Sequence, residues 1–216
     1  MTRVPGSCGV ILAAGSSSRM GHDKALLSWP PIAPGELASG STFLSSAIRS
    51  FMPFTELVIV VAGKNEAGLA AIVYSNGGSL VVNRAPERGQ FSSLQIGLQE
   101  VLNRGRDSAL ITLVDRPPAN LRTIESLCEA FLSREQEIWA VIPELNQRHG
   151  HPYLVSREMI EAFLKAPHTA NARDIEHQNQ QHIVYVRVED PAVTLNVNTP
   201  QEYETLCSNQ LPERTS

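Results

Sequence analysis

Residues Gly9 to Ala14 form an uninterrupted apolar run that stops at Gly15 and gives way to small and polar residues, Ser16-Ser17-Ser18-Arg19-Met20-Gly21. A short apolar run of this kind, closed by glycine, reads as a strand buried on both faces. Such strands belong to parallel sheets covered by helices on both sides. The pattern recurs. Leu57–Ala62, Ser79–Asn83, Ala109–Val114 and Ile138–Ile142 are short, apolar and rich in β-branched residues. Between them lie stretches with helical spacing: Phe43, Leu44, Ala47, Ile48 and Phe51; Phe91, Leu94, Leu98, Val101 and Leu102; Leu121, Ile124, Leu127, Cys128 and Phe131. The alternation predicts an α/β fold, a three-layer αβα sandwich around a mostly parallel sheet.

The last third departs from this rhythm. Pro152–Val155 reads as an antiparallel strand, followed by a helix over Arg157–Lys165 and a polar stretch from Thr169 to His182. Ile183–Val188 and Val193–Val197 are strand candidates. Thr199-Pro200-Gln201-Glu202 has the composition of a helix start, with Thr199 as N-cap, proline at the first helical position and Glu202 closing a capping box. Trp29 to Gly40, with three prolines, reads as a loop. No repeat or low-complexity tract divides the 216 residues. One domain over 1–216 is expected, with its core over about 8–206 and a polar C-terminal tail.

A strand that opens into small residues presents several backbone N–H groups together. With Arg19 and Lys24 nearby, they form a cradle for a polyphosphate. Two familiar phosphate loops are excluded. The P-loop requires four residues between its glycines and a lysine directly after the second; here five residues separate Gly15 from Gly21, and Lys24 follows Asp23. The dinucleotide fingerprint requires Gly-x-Gly, which occurs nowhere in the chain, so a nicotinamide oxidoreductase is disfavoured. Lysine is scarce, with only Lys24, Lys64 and Lys165. The formal net charge of −4 and the absence of a basic stripe argue against nucleic-acid binding. No apolar run approaches membrane-spanning length. Cys8, Cys128 and Cys207 lack metal-ligand spacing and suggest reduced thiols, hence a cytoplasmic location.

The pattern Leu12-Ala13-Ala14-Gly15-x-Ser17-x-Arg19-Met20-Gly21-x-x-Lys24 resembles the signature of the MobA/MocA-like NTP transferases, the family of the molybdenum-cofactor cytidylyl- and guanylyltransferases. The resemblance extends over about residues 8 to 206. It implies a Rossmann-like nucleotidyltransferase sheet and a site in which Leu12, Ala13, Ala14, Gly15, Ser17, Arg19 and Lys24 bind the nucleotide, Arg19 and Lys24 being the catalytic cations. Asp115, in Asp115-Arg116-Pro117, resembles the family's Asp-x-Pro aspartate and is implied as a Mg²⁺ ligand. Asn198, in Asn196-Val-Asn198-Thr-Pro200, matches the second metal position; alternation along a strand would place Asn196 and Asn198 on one side. Asn83, Gly89 and Ser93 fall in a segment that borders the base and ribose in the family, with Ser93 also expected to cap the helix of Leu94–Leu102. Gly150-His151-Pro152 resembles the turn bordering the acceptor pocket. His149-x-His151 without a nearby carboxylate is a weak metal pattern. Arg173 either meets the acceptor's phosphate or is solvated.

The reaction implied is attack of a phosphorylated acceptor, molybdopterin or a relative, on CTP or GTP, with release of pyrophosphate. Ala14, where guanylyltransferases tend to carry glycine, favours CTP. A molybdoenzyme is the implied client. Three features depart from the family pattern: Asn196 where aspartate is common, Trp29–Pro34 in place of a turn carrying a second lysine, and Arg116 in place of the usual methionine or glutamine. They keep open a sugar- or polyol-phosphate nucleotidylyltransferase and, in another class, a non-catalytic carrier or chaperone of the finished cofactor.

Overall fold

The computed structural model describes residues 2–15, 17, 20–30, 40–167 and 169–210. In chain order the elements are β1 (Ser7–Ala13), α1 (Phe43–Phe51), β2 (Leu57–Ala62), α2 (Glu66–Ser75), β3 (Ser79–Val82), α3 (Gln90–Asn103), β4 (Ser108–Leu113), α4 (Leu121–Leu132), β5 (Ala140–Leu145), β6 (Arg148–His149), β7 (Tyr153–Ser156), α5 (Arg157–Lys165), α6 (Ala172–Gln178), β8 (Ile183–Arg187) and α7 (Pro200–Gln210). The described strands form one sheet in the order β3-β2-β1-β4-β7-β5-β6, with β8 pairing β5. β1 pairs in parallel with both β2 and β4, and β2 with β3. β7 runs antiparallel between β4 and β5, so β5 and its parallel partner β8 point the same way as β1.

Alternation along each strand feeds two cores. Ile11 and Ala13 face α1, α2 and α4 through Leu44, Ile48, Leu69, Ile124 and Phe131. Cys8, Val10 and Leu12 face α3 and α5 through Leu94, Leu98, Met159 and Phe163. Successive residues of a strand point to opposite faces, so a strand buried on both must be apolar throughout. This is why β1 and β2 were visible as unbroken runs. Each fully buried leucine, isoleucine or phenylalanine contributes about 1.5–3 kcal/mol. The three-layer αβα sandwich is present as expected.

Several boundaries differ from the sequence reading. β5 begins at Ala140 and continues to Leu145. β3 is an edge strand and only half-buried. The polar stretch after Thr169 contains α6, whose N-cap Asn171 accepts from the Asp174 N–H at 3.0 Å. The largest correction concerns Val193–Val197, which is not a strand. Pro191–Thr194 is instead a 3₁₀ turn. Pro191 cannot donate to a sheet ladder, and the Asp190 carboxylate accepts from the Ala192 N–H at 3.0 Å, closing the turn. The other oxygen of that buried carboxylate accepts from the Asn120 N–H and the Thr123 hydroxyl, tying the turn to the start of α4. The capping box at α7 forms as read, with Glu202 N–H donating to Thr199 Oγ1 and Thr199 N–H to Glu202 Oε2. Residues 31–39 of the loop expected over Trp29–Gly40 lie outside the described residues; Ser28 and Thr42 at its flanks form an antiparallel bridge.

Candidate active site

Adjacent parallel strands place the two halves of the motif together. Leu12 of β1 is in register with Leu113 of β4, and the Val114 N–H donates to the Leu12 carbonyl at 3.0 Å. The Gly15 loop and the turn bearing Asp115 therefore leave the sheet side by side, at the carboxyl edge where open α/β sheets bind ligands.

The loop is held by specific contacts. Ser17 has a left-handed backbone, φ 49°; its hydroxyl accepts from the Lys24 N–H at 3.2 Å and its carbonyl from the Met20 N–H at 2.9 Å. Asn65, just past β2, donates to the Ala13 carbonyl at 2.9 Å and to the Asp23 carboxylate at 2.6 Å. Gly63 permits this approach, since a Cβ there would lie 2.8 Å from the Ala14 carbonyl oxygen. Met20, Phe43 and Val197 form a small separate core that Trp29 and Tyr203 cover, and it joins the loop to the segment before α7. The Val197 N–H donates to the Asp115 carbonyl at 2.8 Å, which fixes Asn198 beside Asp115. Sequence reading gave no role to Asn65 and named Met20 only within the signature pattern, because each acts by contacts across the fold.

Lys24, Asp115 and Asn198 meet. The Lys24 ammonium lies 3.2 Å from Asp115 Oδ2 and 2.9 Å from Asn198 Oδ1. Asp115 Oδ1 is buried and has no hydrogen-bond partner. A carboxylate with one oxygen unpaired, facing an amide oxygen, is a donor set suited to a hard divalent cation, which prefers oxygen and completes its shell from water and phosphate. The residues present therefore fit Mg²⁺. No cluster of three or more histidine, cysteine or acidic residues with metal-site geometry occurs among the described residues. Asn196 is exposed and, with no strand there, the expected alternation that grouped it with Asn198 does not apply.

Leu12, Ala14, Gly15, Ser17, Lys24, Gly89, Ser93 and Asp115 line one cleft of about 300 Å³. It adjoins a second cavity of about 700 Å³ that shares Ala14, Gly15, Ser17 and Pro86 with it and whose wall also includes Lys64 and Asn65. Lys64 thus brings a second lysine to the loop from a position far away in sequence. Arg19 lies outside the described residues. Ala13 is buried, and its carbonyl serves Asn65. Asn83, 2% exposed, is not part of the cleft lining. Its amide donates to Ser92 and Ser93, each at 2.9 Å, and accepts from the Ala85 N–H. Ser93 does not cap α3. The helix begins three residues earlier, after Gly89, whose φ of 93° suits glycine and turns the chain into the helix at the cleft wall.

A third cavity, of about 830 Å³, shares Leu12, Gln90 and Leu113 with the cleft. His151 and Arg173 both line it, together with Arg116, Arg148, Tyr153 and Glu176. The His149 ring stacks on Tyr185 at 3.9 Å, while that of His151 meets Tyr153 edge-on at 5.0 Å. Burial pushes the Glu176 carboxyl up to about 7, against the opposing charge of Arg173. Unfolded, the same group titrates near 4.5. Between those values the folded chain holds more protons, so Glu176 costs increasing stability as pH rises through that window, up to about 3 kcal/mol, and nothing further above it. Glu176→Gln is accordingly expected to raise the melting temperature more at about pH 8 than at about pH 5. Equal gains at both would show that the carboxyl is not perturbed.

A small-residue loop at the carboxyl edge of an open, mostly parallel sheet is the architecture of the Rossmann-like nucleotidyltransferases. Residues 9–183 match the MobA-like NTP transferase domain, and the chain belongs to that family of nucleotidyltransferases. It is 29% identical over 205 residues to a probable molybdenum cofactor guanylyltransferase of Rhodopirellula baltica, covering 92% of this chain and 90% of that one. It is 25% identical over 198 residues to the molybdenum cofactor cytidylyltransferase of Escherichia coli, covering 91% and 93%. Among solved structures, Rv0371c from Mycobacterium tuberculosis H37Rv superposes with a TM-score of 0.75 at 22% identity, over 93% of this chain and 97% of that one. The same protein in complex with manganese gives a TM-score of 0.67 at 19% identity, over 94% and 98%. No helix among the described residues is long and apolar enough to cross a membrane.

Proposed function

We propose that the chain joins CMP from CTP to a phosphorylated acceptor of the molybdopterin type, releasing pyrophosphate, and that Mg²⁺ assists. The observation that carries this reading is the convergence of Lys24, Asp115 and Asn198 beside the Gly15 loop. The loop N–H groups, Lys24 and Arg19 bind the triphosphate, and Asp115 and Asn198 hold the cation. The bound cation supplies positive charge that offsets repulsion between phosphates.

In the transfer, an oxygen of the acceptor phosphate forms a bond to the α-phosphorus of CTP. The bond from that phosphorus to the oxygen bridging to the β-phosphate breaks, and pyrophosphate leaves with the electron pair. A phosphate monoester has a second pKa near ~6, so it is mostly dianionic at neutral pH and needs no general base. The chain's task is then to position two polyanions and balance their charge. The product would serve a molybdoenzyme client in the cytoplasm.

The base preference rests on Ala14, a residue lining both cavities, where guanylyltransferases of the family tend to carry glycine. The named relatives include one guanylyl- and one cytidylyltransferase. Calorimetric titration with CTP, GTP, ATP and UTP, each with Mg²⁺, is the test. CTP is expected to bind at least about tenfold more tightly than GTP, a difference of about 1.4 kcal/mol. A GTP preference would overturn the cytidine reading alone, whereas failure to bind any Mg²⁺-nucleotide would overturn the whole. Pyrophosphate release with a panel of phosphorylated acceptors separates a molybdopterin acceptor from sugar and polyol phosphates. A carrier of finished cofactor would release none.

A further inference from the structure

Arg116 and His151 approach the 830 Å³ cavity from different elements, yet share one property. Arg116 follows Asp115 directly in the turn after β4, and one of its guanidinium nitrogens donates to the Val193 carbonyl at 3.1 Å. Its Nε is buried and has no hydrogen-bond partner. His151 precedes β7, and its Nδ1 is likewise buried and unpartnered. A buried polar group left unpaired costs about 1–3 kcal/mol, and native structures keep few of them without reason. Both residues line one cavity, and two side chains there that each keep an unpaired polar atom point to a ligand that engages them.

The position and charge of the pair select the ligand. The cavity meets the nucleotide cleft at Leu12, Gln90 and Leu113, and Arg116 is one residue from Asp115. A group held there would lie beside the cleft that the Gly15 loop, Lys24 and Asp115 line. Arg148 and Arg173 line the same cavity, so with Arg116 three guanidinium groups face one carboxyl, Glu176. Burial and the charge of Arg116 push the His151 imidazole well below its usual titration range, so it is neutral at pH 7. A neutral imidazole keeps one N–H to donate and adds no second charge to repel Arg116. Arginine beside a neutral donor suits a phosphate dianion, which offers several acceptor oxygens to a planar fork.

We propose that Arg116 and His151 hold the acceptor's phosphate monoester by its non-attacking oxygens, at the junction of the two cavities. This assignment rests on the reading of the chain as transferring a nucleotide to a phosphorylated acceptor. It makes Arg116 a substrate-binding residue separate from the nucleotide cradle of Lys24 and the Gly15 loop.

The full-length chain is titrated with phenyl phosphate, and with inorganic phosphate in a parallel series. Both are followed by ³¹P NMR with Mg²⁺ and a non-hydrolysable CTP analogue at saturation. Arg116→Gln is expected to weaken phenyl phosphate at least about tenfold, the loss of one charge-assisted hydrogen bond. His151→Phe is expected to weaken it by a smaller factor. Both variants should bind the CTP analogue within about twofold of the parent, which also shows that they are folded. Undiminished phenyl phosphate binding in Arg116→Gln overturns the proposal, as does a parent protein that binds neither phosphate. Loss of CTP binding by the parent is a different failure, and it falls on the proposed function instead.

Discussion

Lys24→Ala is expected to lower kcat by about a thousandfold or more, the loss associated with removing a cation that stabilises a transferring phosphoryl group. Lys24 is placed for this by two features. Its backbone N–H is fixed to Ser17 within the loop, and its side chain, only 11% exposed, reaches the Asp115 carboxylate. The same geometry predicts a second effect with the opposite sign. Without nucleotide, the ammonium stands between the two oxygen donors assigned to the metal, 3.2 Å from one and 2.9 Å from the other. A divalent cation and an ammonium cannot both bind there without strong repulsion. Wild-type protein should therefore bind Mn²⁺ weakly in the absence of CTP, and Lys24→Ala should bind it more tightly. Electron paramagnetic resonance of free Mn²⁺ reads this directly. Turnover within about tenfold of wild type would remove Lys24 from the catalytic machinery. Unchanged Mn²⁺ affinity would show that the ammonium does not compete for the donors.

The sequence carried the central strands because burial on both faces leaves no room for polar residues. β1, β2 and β4 were read within a residue or two of their ends for that reason. The failure over Val193–Val197 has a local cause. The apolar residues there alternate as in a strand, but Pro191 and the Asp190 carboxylate impose a turn, and the partners of Asp190, Thr123 on α4 and Asn120 just before it, lie 67 and 70 residues away. Ser93 illustrates another limit. A serine ahead of an apolar helical stripe looks like a cap, yet Gly89 starts the helix earlier and Ser93 is engaged by Asn83. The site itself was legible as separate motifs. The direct side-chain contacts between them were not, since Lys24 meets Asp115 across 91 residues and Asn198 across 174. The placement of an ammonium between two candidate metal ligands, like the pairing of Arg116 with His151, follows from the order of β1, β4 and β7 in the sheet, which no local pattern specifies.

Asp115→Asn is expected to reduce turnover by a factor comparable to that for Lys24, about a thousandfold, with the fold retained. The variant keeps the size of the side chain and an oxygen that can accept from Lys24. It also keeps the backbone carbonyl that accepts from the Val197 N–H and so holds Asn198 in place. What it loses is the negative charge, half of it on Oδ1, which has no partner within the protein. On the proposed reading that charge serves to draw a divalent cation to the triphosphate, since Asn198 supplies only a neutral amide oxygen. Removing it has two consequences that can be measured apart from turnover. With metal removed by chelation, CTP should bind Asp115→Asn at least as tightly as wild type, because a carboxylate beside a polyanion repels it. With Mg²⁺ added, the wild-type affinity should rise by a larger factor than that of the variant. A structural role for Asp115 would lower both affinities together and leave their ratio unchanged. Calorimetric titrations of the two proteins with CTP, with and without Mg²⁺, decide between these outcomes, and an unchanged ratio would remove Asp115 from the metal site.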